Sequence, residues 1–274
     1  MNKLNWTLIL GLSSGLGVVA GALFHSSTTP WIFVNLVGFI IVAGGMTASA
    51  FIMHSFSEIK ELSRGVGSCF LNQKVDNTRA INEIVNVSKI QQRQSVPVQS
   101  DIESIPYYFL RDGMELLLTG LAPDEIRRRL EVMSSHAVER GLKQSGSLLS
   151  LAKLGPGFGL LGTLLGLVVL LQQMGESGNF DQVGPALAIS LLATLYGVVA
   201  ANLFLQPMAE LIKNRTEESE RSNQLIIDGI VMLKDKKHPL QIREALKNHL
   251  SWNEVIKLGE TETGSDKKPE RAAA

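Results

Sequence analysis

The residues best suited to chemistry here are two threonines set in otherwise oily runs. Thr163 lies in Leu154 to Met174 (LGPGFGLLGTLLGLVVLLQQM), and Thr194 lies in a second run from about Val183 to Pro207. On a helix Pro156, Gly159, Thr163 and Gly166 share one narrow face, and Leu161, Leu164, Leu165 and Val168 form the bulky opposite face. Ser190, Thr194, Gly197 and Ala201 recur at helical spacing in the second run. Hydroxyl oxygens are hard ligands that can replace part of the hydration shell of a cation such as sodium. The two faces therefore suit an ion path. The plainer reading is that small residues let membrane helices approach closely, which is the commoner use of such stripes. No apolar run contains Asp, Glu, Lys or Arg in its core, although membrane ion paths usually rest on such residues. An ion path here needs a carboxylate from another chain.

Positioning those faces requires membrane helices, and a span takes about 20 apolar residues. Two further runs qualify, Trp6 to Phe24 and Trp31 to His54. The first exceeds a usual signal-peptide core and a second span follows almost at once, so it is read as a span despite Ala20-Gly21-Ala22. The expected fold is an all-α integral membrane protein. It has four transmembrane helices, a large helical cytoplasmic insert between helices 2 and 3, and a helical C-terminal cytoplasmic tail. The expected divisions are 1–54 for the first two spans, 55–150 for the insert, 151–210 for the last two spans, 211–258 for the tail and 259–274 for a disordered end.

Within the insert, Ile59, Leu62 and Val66 give a short stripe, 91–100 reads as a polar loop, and a helix beginning near Pro106 stops near Gly120. Pro123 with Asp124 and Glu125 opens a further helix towards Leu151, with a break expected near Gly155-Pro156. A helix follows from Met208 to Lys234, and Pro239 starts another through Leu250. The links His25 to Pro30 and Gly175 to Gln182 hold no Lys or Arg, whereas insert and tail hold many. The positive-inside rule then places both termini and the insert in the cytoplasm.

Composition excludes several functions. Lys plus Arg equals Asp plus Glu, 26 each, which argues against a nucleic-acid partner. Cys69 is the only cysteine, so there is no intramolecular disulfide and no cysteine-based metal cluster. The histidines show no metal-ligand spacing, and no nucleophile elbow, phosphate loop or HExxH-like pattern is present, so no enzyme and no resident cofactor are expected. Arg127 to Arg129 would touch an acidic partner or anionic lipid, or simply form a solvated helix face. His54 is either a proton relay or an ordinary interfacial residue.

Pro156-Gly-Phe-Gly-Leu-Leu-Gly-Thr163-Leu-Leu-Gly, with Ala193-Thr194-Leu-Tyr-Gly197 ending at Pro207, resembles the signature of the MotA/PomA flagellar stator family. Gly44-Gly45 with Thr47, Phe109-Leu110-Arg111 with Gly113, Ile227-Asp228-Gly229, His238-Pro239 and Glu244-Ala245-Leu246 extend the resemblance to about Leu250. It implies a homopentameric ring in the bacterial inner membrane, around a single-span partner that brings a membrane aspartate and a peptidoglycan-binding domain. Ion flux to that aspartate would turn the ring against a rotor switch-complex protein and drive motility. By the same resemblance Thr194 lies near the partner's aspartate, while Ser190 and Gly159 join the candidate path by their helical spacing alone. Pro156 and Pro207 match two prolines implicated in coupling. Thr163 stands where sodium-driven members have threonine, which implies sodium, though related ExbB/TolQ proteins carry threonines there and move protons. Rotor-facing charges would fall at Arg93 and at Asp101 or Glu103, in a register that the sequence leaves open. An ExbB/TolQ-like energiser, a stator-like motor for gliding or phage defence, and a non-conducting scaffold are the alternatives.

Overall fold

The computed structural model describes residues 3–26, 33–72, 76–93, 107–177, 183–256 and 258. The fold is helical, with one two-residue antiparallel ladder between β1 (Lys3–Leu4) and β2 (Leu71–Asn72). The helices are α1 (Trp6–Ser26), α2 (Leu36–Met53), α3 (Phe56–Cys69), α4 (Asn77–Arg93), α5 (Tyr108–Leu118), α6 (Pro123–Ser177), α7 (Val183–Val199), α8 (Gln206–Lys234) and α9 (Pro239–Lys247). A π-helical stretch, Ala200–Leu205, joins α7 to α8. Among the described residues four helices are long and apolar enough to cross a membrane, because each carries an uninterrupted apolar run of bilayer length.

The chain forms two compact units. The first comprises Met1–Gln73 with Arg140–Asn214, and the second Lys74–Glu139 with Arg215–Ala274. In the first, most large side chains of the spans are exposed, among them Val18, Phe39, Ile52, Leu164 and Val168. That is the expected dress of helices whose solvent is lipid or another chain. A small core of Cys69, Leu148, Met208, Ala209 and Ile212 gathers Leu8, Leu12, Val66 and Phe70. The ladder fixes the start of the chain to the end of α3, helped by Asn5, whose backbone N–H donates to the Phe70 carbonyl at 2.8 Å.

α3 begins with a capping box: Ser55 accepts from the Glu58 backbone, and Glu58 accepts from the Ser55 N–H. The Lys143 ammonium lies 2.6 Å from the other Glu58 oxygen. The hydrogen bond from Lys143 and the cap hold the Glu58 carboxyl at about 2, well below its ordinary value. A carboxyl depressed in the folded state adds stability above its ordinary range, near 4.5, and loses it as pH falls towards 2. The side chain is a third exposed, so the effect on stability is small. Lys143→Met should move the Glu58 titration upward, back towards its ordinary value, in carbon-detected NMR of labelled protein.

Two helical features differ from expectation. α6 runs unbroken through Pro156 for 55 residues. A proline leaves one carbonyl without its donor and usually kinks or ends a helix in water, but membrane helices tolerate it where neighbours re-satisfy the backbone. Near Pro207 the chain widens instead of breaking. The Gln206 N–H donates to the Ala201 carbonyl, five residues back, a spacing that makes room next to a residue with no N–H.

The second unit packs Ile81 and Ile84 of α4, Leu110 and Met114 of α5, Ile126 and Leu130 of α6, Ile227 and Ile230 of α8, and Ile242 and Leu246 of α9 into one core. Each such side chain contributes about 1.5–3 kcal/mol on burial. Asp228 binds Arg127 at 2.9 Å and His249 at 3.1 Å, and Arg129 pairs with Glu125, so two of the three consecutive arginines have partners within the chain. Gly120 ends α5's turn at φ +77, where a side chain would be strained.

Candidate ion-conducting site

The site is the seam between α6 and α7. Gly155, Gly159, Gly162 and Gly166 are buried along α6 at helical spacing, and two of them, Gly155 and Gly159, lie directly against the α7 backbone. A Cβ on Gly155 would meet the Gly197 carbonyl oxygen at 2.7 Å, and one on Gly159 would lie 2.9 Å from the Thr194 Cα. At Gly162 it would strike the Ala193 side chain, and at Gly197 it would strike the Gly155 carbonyl. Small residues thus bring the two backbones together.

That closeness lets hydroxyls cross the seam. Thr194 Oγ1 donates to the Gly159 carbonyl at 3.2 Å, and Ser190 Oγ donates to the Thr163 carbonyl at 3.3 Å. Thr163 Oγ1 donates within its own helix, to Leu160, at 2.6 Å. Gly159 and Leu160 are consecutive, so the two threonine hydroxyls are directed at neighbouring carbonyls of α6. Each hydroxyl proton being committed, its oxygen keeps lone pairs to offer. Thr163, Thr194 and the carbonyls around them form a partial set of hard oxygens with no counter-charge. No cluster of three His, Cys, Asp or Glu able to hold a metal occurs among the described residues.

Thr163, Thr194, Ser190 and Gly159 are therefore brought together. Gly166 is buried and Thr163 partly so, while Pro156, assigned to the same face from spacing, is exposed. Pro207 is also exposed, two residues beyond the π-helical stretch. Arg93 is the last residue of α4, and Asp101 and Glu103 lie outside the described residues.

Beside the seam, Tyr196 of α7 makes a contact towards α2 that spacing did not single out. Its hydroxyl accepts from the Asn35 N–H at 2.9 Å and donates to the Phe33 carbonyl. Its ring stands edge-on to Phe39, with centroids 6.4 Å apart. Asn35 in turn caps α2 by accepting from the Gly38 N–H. One tyrosine on α7 thus fixes where α2 begins. The signal in the sequence was a lone tyrosine among aliphatic residues. Tyr196→Phe should cost about 1–2 kcal/mol through two unpaired backbone groups, read as a lower denaturation midpoint in detergent.

The same architecture occurs elsewhere. The family model described as the MotA/TolQ/ExbB proton channel family matches residues 101–225. The chain is 27% identical over 243 residues to the chemotaxis protein PomA of Vibrio alginolyticus, covering 89% of this chain and 94% of PomA. It is also 27% identical over 262 residues to the uncharacterized protein YtxD of Bacillus subtilis, covering 94% and 92%. The flagellar MotAB stator complex from Bacillus subtilis contains a chain of the same fold, with TM-score 0.83 at 18% identity, covering 91% of this chain and 97% of that one. With four membrane-length helices and a glycine-lined seam between the last two, the chain is similar to the MotA/TolQ/ExbB proton channel family over residues 101–225 and to PomA-type proteins over most of its length.

Proposed function

We propose that this protein is the ring-forming subunit of an ion-driven flagellar stator in the bacterial inner membrane, with sodium as the driving ion. The observation that carries this reading is the seam: Thr194 and Ser190 bond across it to α6 carbonyls, and no acid accompanies them. Such a site lowers the cost of stripping water from a cation but cannot neutralise it. A partner's aspartate completes it, as the two-component composition of the related MotAB complex suggests. Copies of this chain, five by family analogy, surround a single-span partner anchored to peptidoglycan. The exposed apolar flanks of α1, α2 and α6 meet lipid and neighbouring copies. Both termini face the cytoplasm by the positive-inside rule, with the rotor contact borne by the segment around Arg93, Asp101 and Glu103.

Cation entry at the aspartate cancels its charge and loosens its hold on one Thr163–Thr194 seam. Release restores the charge and draws in the next seam around the ring. Pro156 and Pro207 give the two helices places to yield as the seam is passed.

Swimming of cells relying on this stator should rise with external sodium and survive collapse of the pH gradient. Unchanged swimming without sodium, together with arrest by a protonophore, would assign the path to protons.

A further inference from the structure

The second unit holds a concave site with a different chemistry. A cavity of about 330 Å³ opens between α4 and the start of α9, lined by Val85, Lys89, Gln92, His238, Pro239, Leu240 and Arg243. It shares Gln92 with an adjoining hollow of about 180 Å³, whose walls add Ser88, Lys236 and Lys237. Lys89, Lys236, Lys237 and Arg243 carry fixed positive charge, and neither lining contains an acid. Lys89 and Arg243 line the larger hollow and Lys236 and Lys237 the smaller, so each holds a pair of like charges whose repulsion an anion bound there relieves.

The groups are held in place. Asn82 accepts from the Arg243 guanidinium at 3.1 Å and so sets its direction. Ser88 donates to the Lys237 carbonyl at 3.4 Å, tying the turn after α8 to α4. Lys236 occupies that turn at φ 52, a conformation where glycine is the usual residue. His238 caps α9, its Nδ1 accepting from the Leu240 N–H, so the neutral ring carries its proton on Nε2 as a further donor. The N-terminal turn of α9 adds the positive end of a helix dipole.

We infer that this groove binds a phosphoryl-bearing anion with two or more charges, of the size of a pyrophosphate or a nucleotide. A single carboxylate is satisfied by one arginine, whereas two pairs of fixed cations in adjoining hollows, with a helix N-terminus beside the larger, match a polyanion. The volume lies at the lower end of small-ligand sites, about 300–1,000 Å³, while protein partners of ordinary size use broader surfaces. Val85, Pro239 and the exposed Leu240 give an apolar wall against which a base or other ring can lie. The inference does not depend on the ion path.

The test is isothermal titration of the full chain with sodium pyrophosphate and with ATP, in nanodiscs of phosphatidylcholine. Saturable binding of one anion per chain is expected, weakened about tenfold by Arg243→Gln and by Lys89→Gln and unchanged by Arg128→Gln. Lys237→Gln provides a second exposed substitution should Arg243→Gln fail to fold. Repeating the titration with anionic phosphatidylglycerol in the bilayer separates the two sources of phosphate. Competition by the lipid assigns the groove to a headgroup, and indifference to it assigns the groove to a free anion. No saturation up to millimolar pyrophosphate and ATP overturns the inference, as does equal weakening by Arg128→Gln. A glutamate-rich peptide binding as well as pyrophosphate would also overturn it, by assigning the groove to an acidic protein surface.

Discussion

Thr194→Ala should stop ion-driven torque while leaving the assembled complex intact. The hydroxyl donates to the Gly159 carbonyl, and in α6 that carbonyl keeps the helical bond from Thr163 when the hydroxyl is removed. The structural loss is one interhelical bond, worth about 0.6 kcal/mol and at most about 1.7 in membrane proteins. The functional loss is larger, because a cation that has shed water must find every replacement oxygen. A missing contact to a charged group costs on the order of 1.5–3 kcal/mol, which corresponds to flux reduced by about ten- to a hundredfold. Swimming or bead rotation should therefore collapse at unchanged yield of the purified complex. Thr194→Ser, which keeps the oxygen, should restore most of the torque; Thr194→Val, which keeps the shape, should not. Normal rotation in Thr194→Ala would remove Thr194 from the ion path and leave it as packing.

The contrast between the two halves of the molecule explains what could be seen without coordinates. The bilayer forces every span to be a long, uncharged run, so α1, α2 and the membrane portions of α6 and α7 were legible from composition alone. α4 was not, although Ile81, Ile84, Val85 and Ser88 are buried along it. Those positions are interleaved with Asn82, Asn86 and Lys89, and asparagine favours turns over helix interiors. Its helix is maintained by the core it joins. Pro156 misled for the opposite reason: its cost in water is large, but here it sits within a helix of 55 residues whose length carries it through.

The seam was half legible. Spacing put Thr163 beside Gly159 and Thr194 beside Gly197, and the structure brings these residues together. Spacing could not choose between two overlapping glycine faces. Pro156, Gly159, Thr163 and Gly166 fit one helical stripe, and Gly155, Gly159, Gly162 and Gly166 fit another. The second is the ridge buried in the structure, because α7 offers Gly197 and Ala193 there, and periodicity along one helix carries no information about its neighbour. The Tyr196 clasp was hidden likewise, since its partners Phe33 and Asn35 lie more than 160 residues away in sequence.

Gly197→Ala should be the most damaging single-methyl change in the membrane unit. The new Cβ would strike the Gly155 carbonyl, and from the other side a Cβ on Gly155 would meet the Gly197 carbonyl at 2.7 Å. Both obstacles are backbone, so no rotamer change relieves them, and α6 and α7 must separate. Overpacking typically costs about 1–3 kcal/mol where side chains can give way, and the upper end or beyond is expected here. Separation also stretches the Thr194 and Ser190 bonds across the seam, so stability and torque should fall together, unlike in Thr194→Ala. Gly113→Ala, by comparison, meets only side-chain atoms, of Ile230 and Leu130, and should be milder. Gly146→Ala, on the same helix as Gly155 but with nothing within 4 Å, should gain up to about 1 kcal/mol from helix propensity. Denaturation midpoints of the three variants in detergent measure the order directly. Wild-type stability in Gly197→Ala would mean that α6 and α7 do not meet along this ridge.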